Sequence, residues 1–278
     1  MSLTETEPES HLEPLADTAQ YPLIGSGDPP PFTVYNAQGK APVLLVCDHA
    51  SKAFPAAMYQ LGLADWVLDK HVACDIGAEL ITKHLADQLD APAVLAGYSR
   101  LVMDLNRQLS HESALIKVSD GISIPGNQNV SALEREQRID SFFNPYHDEI
   151  SRQIKLFEAR DIVPAFISIH TCTPVFNNVI RHCQIGVMWD SDPRIPVPLM
   201  KSLKMNPDLR VGDNEPYSGR HPHDFTIDYH AQETGLAHVG IEVRQDLVST
   251  EEGAQQWAEI LAKSFDEVLK DGAIYVHA

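Results

Sequence analysis

Two histidines, a glutamate and a set of arginines stand where apolar segments end, and together these residue types can build a metal-assisted hydrolytic site. His49 follows the apolar run Val43-Leu-Leu-Val-Cys47 by way of Asp48, and His170 closes Pro164-Ala-Phe-Ile-Ser-Ile169. Neutral imidazole is a good zinc ligand, and catalytic zinc usually takes three protein ligands plus a water. Each histidine alone reads more simply as a hydrogen-bonded residue near the core. As a pair at two strand ends, with acids beside them, they weigh evenly between that reading and a metal site. Glu242 lies inside Val239-Gly-Ile-Glu-Val243, where a buried carboxylate is costly unless it is paired or used. It can pair with Arg244, two positions on and on the same strand face, or act as a general base towards a metal-activated water. Arg100 and Arg107 flank Leu-Val-Met-Asp-Leu-Asn106. Guanidinium forks match carboxylates, so these two either hold an acidic substrate or form salt bridges with Asp104 and other acids.

Other chemistry-bearing residues weigh less. His221-Pro-His223-Asp224 has close histidine spacing but lies in a proline-containing polar loop, which suits a surface or a substrate rim better than a ligand set. Tyr217 and His230 belong to the same region and are candidates for the mouth of a site. Cys172 follows His170 by two positions, and an inert buried thiol is the simpler reading than a nucleophile.

The elements needed to position these residues are legible. Val43–Cys47, 92–96, 164–169, 185–189 and 239–243 read as short buried strands. Residues 76–89 carry Ile76, Leu80, Ile81, His84, Leu85 and Leu89 on one helical side. Ser131 with Glu134 makes a capping box, Asn144-Pro145 reads as a helix restart, and Ser249 with Glu252 caps a last helix running to about residue 270. The polar stretch 206–235 reads as a long functional loop region. Alternating strands and helices predict an α/β fold, a three-layer α/β/α sandwich around a mixed, largely parallel sheet. Ligands in such folds sit beyond the carboxyl ends of the strands, where Asp48-His49, His170, Glu242 and Arg244 stand.

Composition narrows the function classes. The chain of 278 residues has 21 basic and 39 acidic side chains, a net charge of −18. That field repels phosphate backbones and anionic lipid, so neither nucleic acid nor a membrane surface is an expected partner. An anionic substrate would need local arginines. There is no apolar run of the ~20 residues a membrane span requires and no signal-like start. Four cysteines without a CxxC pair fit a reducing, cytoplasmic compartment. Residues 1–20 read as a flexible acidic tail, and 21–278 as one domain.

Several phrases resemble the N-formylglutamate amidohydrolases: Cys-Asp48-His49-Ala-Ser, His71-Val-Ala-Cys-Asp75-Ile-Gly-Ala, Tyr98-Ser-Arg100-Leu-Val-Met-Asp-Leu-Asn106-Arg107, Pro145-Tyr-His147, Ser168-Ile-His170-Thr and Ile241-Glu242-Val-Arg244-Gln-Asp246. They run in order from about residue 40 to 250. The resemblance extends to the zinc-carboxypeptidase-like hydrolases and the aspartoacylase-like deacylases. It implies one Zn²⁺ per chain on His49, His170 and an acid, with Glu242 as general base. Arg100 or Arg107 would steady the oxyanion, while Asn106, Arg107 and Arg244 bind substrate carboxylates and Tyr217 lines the mouth. The implied substrate is a small anionic N-acyl amino acid, N-formyl-L-glutamate, within histidine breakdown; a monomer or homodimer is the expected assembly, which the sequence does not fix.

One departure matters. The wider relatives draw two ligands from His-x-x-Glu, but the fourth position here is Lys52. The missing acid must come from elsewhere, and Asp75 is the first choice, with Asp48 the second. Lys52 also leaves open a non-catalytic relative that binds a metal or an acidic ligand. A deacylase for another N-acyl amino acid, and a cysteine amidase through Cys172, are the other readings.

Overall fold

The computed structural model describes residues 21–176, 178–220 and 224–278. The tail expected over 1–20, and the pair His221 and His223, lie outside the described residues. The strands are β1 (Phe32–Tyr35), β2 (Val43–Cys47), β3 (Ala93–Ala96), β4 (Val118–Ser119), β5 (Ile122–Ser123), β6 (Ala165–Cys172), β7 (Val175–Phe176), β8 (Val179–Ile180), β9 (Ile185–Met188), β10 (Val211–Asp213) and β11 (His238–Arg244). The helices are α1 (Asp65–Leu68), α2 (Ala78–Leu89), α3 (Ala132–Arg138), α4 (Asn144–Glu158), α5 (Pro196–Leu203), α6 (Phe225–Ile227) and α7 (Glu251–Val268).

Seven strands form one sheet in the order β1-β3-β2-β6-β11-β9-β10. The central β3, β2, β6 and β11 are mutually parallel. β1 runs antiparallel to β3, and β9, with β10 parallel to it, runs antiparallel to β11. The sheet is therefore mixed with a parallel centre, as the strand–helix alternation predicts.

Strand periodicity sorts the side chains into two cores. Val43, Leu45 and Cys47 of β2 pack with Ile81 and Leu85 of α2, Leu199 of α5 and Trp257, Leu261 and Phe265 of α7. Leu44 and Val46 point the other way and join Phe166 of β6, Tyr146, Ile150 and Phe157 of α4 and Ile227 of α6. Helices thus cover both faces, giving the three-layer α/β/α sandwich. Full burial of each such side chain contributes roughly 1.5–3 kcal/mol. A strand covered on both sides is apolar at every position, which is why Val-Leu-Leu-Val-Cys is recognisable.

The same alternation delivers the polar residues. Ile167 and Ile169 of β6, and Ile241 and Val243 of β11, face the α2/α7 core. Ser168, His170 and Glu242 therefore face the α4/α6 side, near the carboxyl ends of their strands.

Three local expectations change. α4 does begin at Asn144 with Pro145 in its first turn, but Asn144 is not its cap: its φ and ψ are −57° and −49°, and α3 runs into α4 through a π-helical turn over Ile139–Phe143. Asn144 donates sideways to Asp140 at 3.1 Å, so an Asn-Pro pair that resembles a cap lies within a continuing helix. The cap of α7 is Thr250, whose side chain accepts from Gly253 N at 3.2 Å, one residue beyond Ser249. Within 206–235 the chain forms β10, α6 and a π-helical turn over Asp228–Gln232. β1 and β10, short strands at the two sheet edges, were not distinguishable from loop by pattern.

Candidate active site

The site begins where β2 and β6 end. Asp75 lies in the turn before α2, and its backbone N donates to His49 O at 3.0 Å, tying that turn to the end of β2. Gly77 makes the turn possible, with φ of +84° and the Val248 carbonyl 2.2 Å from where a Cβ would stand. This geometry carries the Asp75 carboxylate between the two histidines. Asp75 Oδ2 is 2.9 Å from His170 Nδ1 and 3.4 Å from His49 Nδ1. One ligand atom from each of these three buried residues lies within 4.8 Å of the others.

Each imidazole is held from behind. His49 Nε2 is 2.8 Å from Asp104 Oδ1, and His170 Nε2 is 3.2 Å from Asp48 Oδ2. Asp48 is itself fixed by Tyr146 Oη at 2.8 Å and Thr226 Oγ1 at 2.9 Å, both donating to Oδ1. Asp104 receives the Arg100 fork through Nε at 3.2 Å and Nη2 at 2.7 Å. A carboxylate behind each ring is how metal-ligating histidines are commonly oriented.

The electrostatics point the same way. Burial disfavours the charged His170, yet hydrogen bonds and charge from Asp48 and Asp75 hold its pKa well above the usual range. Burial likewise opposes ionisation of Asp75, and the charge of His49 and the bond from His170 overcome it and hold the carboxyl low. Asp104 is held well down against burial by Arg100 and His49. Without an ion, the three buried carboxylates are balanced by Arg100 and by histidine protons, and a divalent cation would take the place of those protons. His49 Nδ1 is also buried without a hydrogen-bond partner among the described residues. The donor set therefore fits a divalent metal ion on His49, Asp75 and His170, with Asp48 and Asp104 as orienting groups.

Beside this group lies Glu242, directly opposite His170 in the parallel β6–β11 ladder. Burial pushes its carboxyl up to about 7, against the lowering effect of His170. Its Oε2 is buried without a hydrogen-bond partner among the described residues. The ion pair with Arg244 that the spacing allowed is not formed. Arg244 instead clasps Asp246 at 2.8 and 3.1 Å and donates to Arg181 O at 3.0 Å.

A cavity of about 620 Å³ opens over these groups, and His49, Asp75, Arg100, Asn106, Arg107, His170, Tyr217 and Glu242 all contribute to its wall. Arg244, expected to bind a substrate carboxylate, is not among the lining residues. His230, a candidate for the mouth, is instead buried and stacked on His147. Lys52 is turned to solvent and bonded to Asp69 at 2.5 Å, outside the site. Cys172 lines the cavity, but burial and the Glu242 charge push its thiol up to about 12, which removes the thiolate a nucleophile needs. Asn106 is fixed by accepting from Thr226 N at 2.9 Å.

The sequence reading missed His71, Gln245 and Asp224, which also line the cavity, and Arg181, which borders it. Asp224 stood only in a histidine-rich phrase. Arg181 ends the hairpin β7–β8, a two-residue-per-strand element with no periodic signal.

The model of the N-formylglutamate amidohydrolase family matches residues 41–249. A crystal structure of a gene product of Agrobacterium tumefaciens is 32% identical, with a TM-score of 0.86 covering 89% of this chain and 98% of that one. The N-formylglutamate amidohydrolase of Ralstonia eutropha shares the fold at 16% identity, with a TM-score of 0.60 over 86% of this chain and 97% of that one. No curated protein matches the chain. The matched region contains each residue of the His49, Asp75, His170 and Glu242 group, and the chain belongs to the N-formylglutamate amidohydrolase family.

Proposed function

We propose that the protein hydrolyses the N-formyl amide of N-formyl-L-glutamate to formate and L-glutamate, with one Zn²⁺ held by His49, Asp75 and His170. The observation that carries this reading is the register of Glu242 against His170, which sets a buried carboxylate, its Oε2 without a hydrogen-bond partner among the described residues, beside the metal-type donor group on the wall of one cavity. When bound, the ion would supply Lewis acidity, polarising the acyl carbonyl and bringing the pKa of water towards ~7.

The remaining work falls to the chain. Glu242 takes the proton of the attacking water, and the water oxygen bonds to the formyl carbon. Charge then develops on the carbonyl oxygen, and Arg100 Nη1, held only loosely by Asp75 at 3.5 Å, is the donor for it. As the C–N bond breaks, Glu242 passes its proton to the departing nitrogen, so the glutamate leaves as an amine and the base is regenerated. Asn106 and Arg107 bind the α-carboxylate. Tyr217 forms part of the rim.

A second reading rests on the cavity. Its volume of about 620 Å³ is in the range that accommodates drug-sized ligands, leaving room for a longer acyl group. The test is release of formate from N-formyl-L-glutamate, and of acetate or succinate from the corresponding acyl glutamates, before and after chelation and with zinc restored. Formate release that chelator abolishes and zinc restores supports the reading. Loss of no activity on chelation removes the metal from it, and hydrolysis of the longer acyl groups alone moves the substrate to the second reading.

A further inference from the structure

Arg181 differs from the arginines that form ion pairs in this chain of net charge −18. Arg100 pairs with Asp104, Arg138 with Glu134, Arg152 with Glu149, Arg194 with Asp192 and Arg244 with Asp246. Among the described residues, no carboxylate lies within 4.0 Å of the Arg181 guanidinium. It is instead packed between two rings, 5.1 Å from the Phe176 centroid and 4.5 Å from that of Tyr217. Its Nη2 donates to Tyr217 Oη at 2.6 Å and its Nη1 to Thr173 O at 3.2 Å. Such stacking fixes the plane of a guanidinium without neutralising its charge.

The position of this charge is equally specific. Tyr217, Thr173 and Cys172 all line the cavity, and the Arg181 charge lowers the Cys172 thiol against burial. The backbone of Arg181 is itself anchored, because Arg244 Nη1 donates to its carbonyl at 3.0 Å. Arg244 therefore acts on the site through Arg181, with its own fork closed by Asp246. A half-buried cation with no carboxylate within 4.0 Å among the described residues, its charge reaching Glu242 only at longer range, is ready for an anion that arrives from outside.

We infer that Arg181 is the specificity-determining residue that receives the side-chain carboxylate of a dicarboxylic N-acyl amino acid, at the Tyr217–Thr173 part of the cavity wall that it holds. This rests on the amidohydrolase reading above and deepens it, since it ties the preference for an acidic side chain to one residue. Tyr217 and Phe176 set the plane of the fork, and Arg244 sets its distance from the cavity. A neutral side chain leaves the guanidinium without a counter-charge and forfeits that contact.

The test uses two substrates of the same shape, N-formyl-L-glutamate and N-formyl-L-glutamine, with zinc-loaded wild type, Arg181→Gln and Arg181→Lys. A charge-assisted contact of this kind predicts that the kcat/KM preference for glutamate falls about tenfold or more in Arg181→Gln. The loss should appear mainly in KM, with partial recovery in Arg181→Lys. A preference that is unchanged in Arg181→Gln, or activities on both substrates that fall in parallel, would overturn the assignment. Failure of the amidohydrolase reading is seen separately, as no turnover of either compound by wild type. In that event, calorimetric binding of L-glutamate against L-glutamine decides: a preference lost in Arg181→Gln supports the subsite, and its persistence or absence in wild type rejects it.

Discussion

Glu242 and His170 face each other across the parallel ladder of β11 and β6, and both strands arrive there with their α4/α6 face bearing polar residues. In-register neighbours on adjacent parallel strands share a face, so the backbone fixes their side-by-side placement. A carboxyl in that position pays for burial with a pKa raised to about 7, which lies near the optimum for a group that must both accept and return a proton. Glu242→Gln keeps the shape and removes the base. Turnover should fall by about 10²–10⁴, with bound zinc per chain unchanged by elemental analysis. A variant that retains activity would take the base role from Glu242.

The pH profile of kcat/KM follows from the same residue. Burial raises the Glu242 pKa to about 7, and the base works only when deprotonated. Activity should therefore drop as pH falls through its pKa. A dication alongside favours the carboxylate, so the acid limb of the loaded enzyme should lie below 7. The limb should vanish from the residual activity of Glu242→Gln. An acid limb unchanged in that variant would assign it to another group.

Metal binding should separate the three aspartates. Asp75 meets both His49 Nδ1 and His170 Nδ1, while Asp48 and Asp104 meet the opposite ring nitrogens. Asp75→Asn should lose zinc on dialysis. Asp48→Asn and Asp104→Asn should retain it with affinity reduced roughly 10–100-fold, the usual effect of losing an orienting carboxylate. Full occupancy in Asp75→Asn together with its loss in Asp48→Asn would exchange the two roles.

How far the sequence reveals this arrangement depends on the distance between the residues concerned. His49, His170 and Glu242 are visible because each interrupts or ends an apolar run, and burial of a polar group there demands a reason. The α/β sandwich is legible because β2, β6 and β11 are buried on both faces and α2 and α7 are amphipathic. The choice of Asp75 over Asp48 depended on a family phrase, since the turn that swings Asp75 back onto His49 O has no periodic signature. Arg244 and Arg181 illustrate the converse. Spacing along one strand put Arg244 beside Glu242, but the adjacent Asp246 captures its fork, and the cation nearer the cavity comes from a hairpin 63 residues earlier. Edge strands β1 and β10 are short and only partly buried, so they carry little pattern.

Gly77 gives a stability test linked to the site. An alanine there would take a φ of +84° and bring its Cβ to 2.2 Å from Val248 O. Left-handed strain alone costs about 1–2 kcal/mol, and the backbone contact must add to it. Gly77→Ala should lower unfolding free energy by at least ~2 kcal/mol and weaken zinc binding, because Asp75 shares the turn. Gly272→Ala, where no heavy atom lies within 4 Å of the added Cβ, should change stability little. Equal stability in the two variants would show that the turn relaxes freely.

The buried imidazole pair under the site predicts an acid-sensitive fold. His147 Nε2 donates to Leu105 O at 2.9 Å, so its Nδ1 accepts from His230 Nε2 at 2.9 Å. Both rings are therefore neutral in this arrangement. Burial lowers the His147 pKa to about 4, and burial together with the His147 charge lowers that of His230 to about 3. The unfolded chain, with histidines near 6.5, binds these protons first as pH falls. Stability of the metal-free protein is thus unaffected by this pair above about 6.5, and is lost progressively from there down to about 4 and then 3. His147 alone should account for on the order of 3 kcal/mol of that loss. Urea unfolding at pH values between 4 and 7 checks it, comparing wild type with His147→Gln, which can still donate to Leu105 O but does not titrate. The variant should show the shallower dependence on pH, and parallel slopes would place the acid sensitivity elsewhere.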